Sequence, residues 1–288
     1  MTRQFLAVLL LPIFAVVGMV GCGDDEPPVV PVNPYMKFAA GDTFKFDYYD
    51  RDSAGTRQDA SKQVIVWAVV RADLDTLGKD GVTEIVETRY DATGTTQTGS
   101  SKIYVLANGQ GEFHQYDLMR TVMDRFSGGV DLSAYLDSIP KVWVQVGDTK
   151  SASAVEIEDL AAGMVFTKTL NDVTVASFTF DAQIKMGIRS QHLGKTSVTV
   201  PAGTYASAYS TDNFVRVNLS NVDAISGVIP AGTVLVNDSV NVHYDLDVED
   251  GPVRQQIESK ALLVAGLYPV NVNGSEMELT SSTRASVD

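Results

Sequence analysis

The chain is short of cysteine, histidine and positive charge, and each shortage excludes something. Among 288 residues there is one Cys, which rules out an internal disulfide and any site built from several thiolates. The three His residues, His114, His192 and His243, stand far apart, with no HExxH and no pair at metal-ligand spacing. No GxSxG nucleophile elbow is present either. Lys and Arg total 22 against 36 Asp and Glu, a net charge of −14, which argues against a nucleic-acid partner because phosphates need cations to release their counterions. Residues 5–20 form an apolar run, but it contains Pro12 and falls short of the roughly 20 residues that span a bilayer core. What remains is ordinary for a folded protein: 44% apolar and 20% charged residues, with enough length to bury a core.

That N-terminal run, with Arg3 as its only charge, reads as a signal peptide over residues 1–21. Met19-Val20-Gly21-Cys22 follows it and resembles the lipobox of bacterial lipoproteins, with Met19 where those proteins prefer Leu. The resemblance implies cleavage before Cys22, a diacylglycerol thioether on its sulfur and an N-acyl chain, and no other cofactor. Anchoring then follows from about 0.8 kcal/mol per buried methylene over two or three chains. Residues 22–36 carry Asp24, Asp25 and Glu26, then Pro27, Pro28, Pro31 and Pro34. So many prolines preclude a helix or a central strand and leave an extended tether. The acidic run resembles the export signal that sends some lipoproteins to the cell surface; its plainer reading is a solvated spacer.

Residues 37–288 read as a β-rich domain. Phe178, Phe180, Ala182, Ile184 and Met186 alternate with polar residues, the period-two pattern of a half-buried strand. The same alternation appears in residues 43–48 and 240–248, while residues 64–70 are apolar throughout and predict a strand covered on both faces. Asp80-Gly81 is the turn expected to close the hairpin between residue 70 and residue 82. One stretch departs from this pattern. Tyr116, Met119, Met123 and Phe126 are spaced helically within residues 112–126, ahead of Gly128-Gly129. The expected fold is all-β or mainly β: a large curved antiparallel sheet or a β-sandwich with one helical insert at about 112–140. Two subdomains hinged near that insert are the rival organisation.

Val200-Pro201-Ala202-Gly203-Thr204-Tyr205 is echoed by Ile229-Pro230-Ala231-Gly232-Thr233-Val234, each a turn in which Pro presets one position and Gly closes the corner. Residues 196–205 resemble the TVPAGTF segment of uncharacterised bacterial envelope proteins and lipoproteins. The resemblance implies a long curved antiparallel sheet and an envelope location, and no catalytic residues.

Local chemistry is sparse. Asp73, Asp75, Gly78 and Glu84 fall at positions 1, 3, 6 and 12 of a calcium loop. Leu77 and Asp80 break that pattern, and a hairpin loop is the plainer reading, so Asp73, Asp75 and Glu84 are weak metal candidates. Asp245, Asp247 and Glu249 alternate with Val240, Val242, Tyr244, Leu246 and Val248, which predicts a solvated acidic face. Gly194-Lys195-Thr196 lacks the spacing of a phosphate loop. Tyr48, Tyr49, Trp67, Tyr90 and Trp143 read as sheet aromatics, with a sugar-stacking platform as the alternative. The Met and aromatic stripe at Met119, Met123 and Phe126 reads as core, or as a lid over an apolar ligand. Together these readings give a non-catalytic, lipid-anchored protein of the bacterial cell envelope, at the outer membrane or cell surface. It would act as a binding or structural module with an envelope protein as partner. A carrier or sensor for an apolar ligand in a curved-sheet pocket is the alternative, and a hydrolase of envelope polymers the minor one.

Overall fold

A computed structural model describes residues 36–107, 111–127, 137, 139, 141–150, 155–157, 166–175, 178–225, 227, 229–264 and 268–285. The signal segment, Cys22 and nearly all of the tether lie outside these residues, and Asn33–Asp288 forms one compact unit.

Sixteen strands follow in chain order. The first eight are β1 (Thr43–Arg51), β2 (Gln63–Thr76), β3 (Lys79–Tyr90), β4 (Gln97–Ala107), β5 (Glu112–Tyr116), β6 (Phe126–Ser127), β7 (Trp143–Asp148) and β8 (Val155–Ile157). The rest are β9 (Phe166–Val175), β10 (Phe178–Val200), β11 (Gly203–Asn221), β12 (Val234–Asp247), β13 (Gly251–Ile257), β14 (Lys260–Val264), β15 (Tyr268–Val272) and β16 (Gly274–Thr283). A single α-helix, α1 (Leu118–Met123), separates β5 from β6. Thirteen strands make one antiparallel sheet in the order β7-β5-β4-β3-β2-β1-β16-β13-β12-β11-β10-β8, with β9 also on β10. The remaining three, β14-β15-β6, form a small second sheet. The fold is therefore mainly β and built on a large antiparallel sheet, as the alternation predicts.

The sheet curls on itself. Strand β7, at one end of the order, packs against β10, β11 and β12 near the other end. Asn213 Nδ2 donates to the Val146 carbonyl at 3.2 Å, and Ser190 Oγ lies 3.1 Å from the Gln145 carbonyl, so side chains occupy part of the free edge of β7. Gly147 permits the approach: a Cβ there would lie 2.0 Å from Leu246 Cδ1. The inner face of the curl holds the core, including Phe44, Phe46, Ile65, Trp67, Phe113, Val146, Val215, Val217, Tyr244 and Leu246.

Four local expectations are revised. Residues 112–116 are a strand, because Phe113 and Gln115 share one buried face with period two, and among the described residues of this stretch the α-helix is Leu118–Met123. Strand β5 pairs with both β4 and β7, so the strands that flank α1 and β6 belong to the main sheet. The β2–β3 hairpin turns at Leu77-Gly78, both at positive φ (53° and 74°), and Asp80-Gly81 lies inside β3. Two positive φ values match the twist of a two-residue hairpin, which a turn at Asp80-Gly81 does not supply. Strand β2 is fully covered on one face only, since Val70 remains 43% exposed. The two Pro-Ala-Gly-Thr corners also differ. Pro201-Ala202 is the two-residue turn joining β10 to β11, whereas Gly232 (φ 76°) closes the longer loop before β12.

Candidate functional site

A cavity of about 530 Å³ lies between α1 and the inner face of the sheet, within the roughly 300–1,000 Å³ of small-ligand sites. The period-two rule explains how it is built. Tyr48 of β1, Met277 of β16 and Gln255 of β13 stand in one cross-strand row, and Trp67, Glu87 and Ser101 of β2, β3 and β4 stand in another. The same faces carry Phe46, Ile85, Ile103, Ile257 and Leu279, so the polar members stand among inward-facing apolar residues. Helix α1 covers the cavity with Arg120, Thr121 and Asp124, while Leu118, Met119, Val122 and Met123 are buried in the core.

The floor is organised by one hydroxyl. Tyr244, fully buried, donates from its OH to Gln115 Oε1 at 2.6 Å and accepts a hydrogen bond from Gln255 Nε2. Burial raises the Tyr244 pKa, which keeps it a neutral phenol. A phenol has one proton, so it donates to one amide and accepts from the other. One glutamine is thereby left with a donor facing the cavity and its neighbour with an acceptor. Gln115 is only 8% exposed, and its Nε2 makes no hydrogen bond among the described residues.

The walls carry both signs of charge. Glu87 is occupied: Oε2 accepts from Trp67 Nε1 at 3.0 Å and Oε1 from Arg89 Nε at 2.9 Å. Arg125 pairs with Asp50 at 3.6 Å and lies 5.3 Å from the Tyr48 ring centre. Arg120 pairs with Asp137, which is 91% exposed, at 3.2 Å. Asp117, just before α1 with φ 69°, is the least satisfied group. Its Oδ1 is buried without a hydrogen-bond partner, and burial pushes its carboxyl up to about 6 despite Arg120 and Lys141 nearby.

The residues singled out from sequence are not gathered here. Met119 and Met123 are core residues and do not line the cavity. Phe126 lies in β6, paired with Val272. Asp73 and Asp75 are exposed on β2, whereas Glu84 is buried between Lys102, at 2.8 Å, and Arg71. The Lys102 hydrogen bond, with help from Arg71, holds the Glu84 carboxyl below its ordinary range. Among the described residues no group of three His, Cys, Asp or Glu could hold a metal ion. Tyr48, Tyr49 and Trp67 are buried sheet aromatics. Gln115, Gln255 and Asp117 were missed, although one signal was available. Gln115 shares its face with Phe113, and Gln255 shares its face with Val253 and Ile257, so each is a polar break in an apolar stripe.

The acidic comb that runs along β12 is solvated only toward its end, where Glu249 is exposed and Asp247 half-buried. Asp245 is fully buried on the outer face, accepting from Arg254 Nε at 2.7 Å and from Ser210 Oγ. His243 spans two carboxylates, with Nδ1 2.8 Å from Asp212 and Nε2 3.2 Å from Asp245. Burial opposes its charge, but the two carboxylates prevail and hold its pKa up to about 9. The pattern continues across the strands, with Arg51–Glu276 at 3.3 Å and Arg57–Glu278 at 3.1 Å. Arg254 of β13 and Ser210 of β11 reach Asp245 from the neighbouring strands, which alternation within one strand does not reveal. Ser210 bonds to Asp245 and both His243 nitrogens are engaged by carboxylates, so this serine, histidine and aspartate lack the serine-to-imidazole bond of an activated nucleophile.

Compared with known protein families, curated proteins and solved structures, the chain matches none.

Proposed function

We propose that this is a non-catalytic, lipid-anchored protein of the bacterial cell envelope whose β domain binds a small molecule on the inner face of its curled sheet. The observation that carries the reading is the cavity under α1, lined by Gln115 and by Asp117, whose Oδ1 is buried without a hydrogen-bond partner. Buried polar groups are almost always hydrogen-bonded, and one left open toward a cavity fits a site completed by its ligand. The cavity walls do not favour an apolar cargo: Ile65, Ile103, Ile257 and Met277 are interleaved with Glu87, Arg89, Gln115 and Gln255.

The anchor rests on the Met19–Cys22 segment. Radiolabelled palmitate fed to an expressing bacterium should enter the wild-type chain and not Cys22→Ser. Labelling of both would contradict lipidation at that thiol. Binding is tested by native and denaturing mass spectra of the full chain purified in mild detergent. The reading expects a small-molecule adduct that is lost on denaturation and absent from a Gln115→Leu, Gln255→Leu double variant. A clean apo mass at every ligand load, with endogenous extract added back, would contradict it.

A further inference from the structure

We propose that the ligand of the inner-face cavity is a saccharide, its hydroxyls read by the Gln115–Tyr244–Gln255 trio. This rests on the reading of the domain as a small-molecule binder and adds the ligand's chemistry. Because Gln115 and Gln255 both bond the same phenolic oxygen, their amides are neighbours, and the single proton of Tyr244 makes one of them present N–H and the other C=O. This complementarity holds whichever way the phenolic proton points. The partner for an adjacent donor and acceptor is a group that accepts and donates at once. A hydroxyl does so, and vicinal hydroxyls do so repeatedly. A carboxylate only accepts, an ammonium only donates, and an alkyl chain does neither, so each leaves one side of the pair unsatisfied.

The charge around the cavity agrees. Of the five cations that line it, Arg89, Lys102, Arg120 and Arg125 are paired with Glu87, Glu84, Asp137 and Asp50, and Lys141 stands with Asp117 and Asp124 as the remaining lining charges. With four of its five cations already ion-paired, the rim is not built around one anion. It supplies planar guanidinium and carboxylate groups able to bond further hydroxyls at the rim. The apolar members, Ile103, Ile257 and Met277, suit the C–H face of a sugar ring. The volume limits the ligand to a small saccharide or to the end of a longer one.

The test is titration calorimetry on the full chain in detergent with four probes. These are a panel of neutral and uronic-acid mono- and disaccharides, citrate as a polyanion, leucine as a zwitterion and palmitate as an apolar anion. The expected result is binding by at least one saccharide, with affinity falling about tenfold or more in Gln115→Leu and in Gln255→Leu. Tyr244→Phe, which releases both amides while keeping the ring, should also weaken binding. Gln115→Asn, an amide of shorter reach, replaces Gln115→Leu if circular dichroism shows that the latter does not fold. Binding by citrate, leucine or palmitate with no saccharide bound would overturn the ligand class and leave the binding-module reading standing. Saccharide binding indifferent to every one of these variants would overturn the trio as its reader. No binding by any probe would overturn the saccharide proposal, and a clean apo mass spectrum would remove the binding reading with it.

Discussion

Two groups of buried polar residues lie on opposite faces of the same sheet, and they differ in how completely they are satisfied. On the outer face Asp212, His243, Asp245 and Arg254 are joined by hydrogen bonds and ion pairs across three strands. On the inner face Gln115 keeps an open donor and Asp117 an orphaned carboxylate oxygen. A saturated network fixes strand register and resists change, because removing one member strands the others. An unsaturated one costs stability in the empty protein, and a ligand can restore it. The contrast holds for these two groups rather than for the whole outer face, where Asn241 donates to Asp212 but keeps its own Oδ1 without a partner. By density alone the Asp245 region stands out, although alternation in the sequence reads it as a solvated face.

The largest expected effect comes from breaking the saturated group. Asp245→Ala leaves Arg254 and His243 facing one another without their shared carboxylate and should cost about 3–5 kcal/mol, measured by urea unfolding. His243 sharpens the same point through pH. Its folded pKa of about 9 exceeds the ordinary 6.5, so its contribution is complete below about pH 6.5 and lost as pH rises through 9. The loss should be on the order of 3 kcal/mol in unfolding free energy between pH 6 and pH 10. His243→Gln should flatten that slope, and an unchanged slope would contradict the assignment.

The curl itself is tested next. Gly147→Ala places a methyl 2.0 Å from Leu246 Cδ1 and should cost about 1–3 kcal/mol by overpacking. Much of that loss should return in the Gly147→Ala, Leu246→Val double variant if the two strands meet there. The smallest effect has the opposite sign. Asp117 is held at about 6 by burial, so at pH 7 its ionised form weakens the fold, and that penalty fades as pH falls below 6 toward its ordinary 3.8. Asp117→Asn keeps the shape, tolerates the positive φ and should raise stability by about 1–2 kcal/mol at pH 7, with no gain at pH 4. A loss at pH 7 would show that the carboxylate already has a partner.

The strands were legible because alternation is written locally. Thr43–Arg51, Phe178–Val200 and Val234–Asp247 each begin or continue where period two predicts. Features that depend on register were not legible. The turn at Leu77-Gly78 wins over Asp80-Gly81 because pairing with β2 sets where the chain reverses, and Asp245 is met by Arg254 and Ser210 from the strands on either side. The helical spacing of Tyr116, Met119, Met123 and Phe126 was correct for one turn of chain and accidental at both ends. The cavity was least visible of all, since its floor joins β5, β12 and β13 through a single hydroxyl. Its only local trace is a glutamine on each of two apolar faces, and this pattern marks inward polar groups without saying that they meet.

The central claim, that the unsaturated inner face binds and the saturated outer face supports, is tested most directly by one crossed comparison. Melting temperature and affinity for the tightest-binding saccharide are measured for Gln115→Leu and for Asp245→Asn. The account predicts that Gln115→Leu loses about tenfold or more in affinity with little change in melting temperature, while Asp245→Asn melts several degrees lower and keeps its affinity. Affinity lost through Asp245→Asn and retained in Gln115→Leu would contradict it and move the site to the outer face.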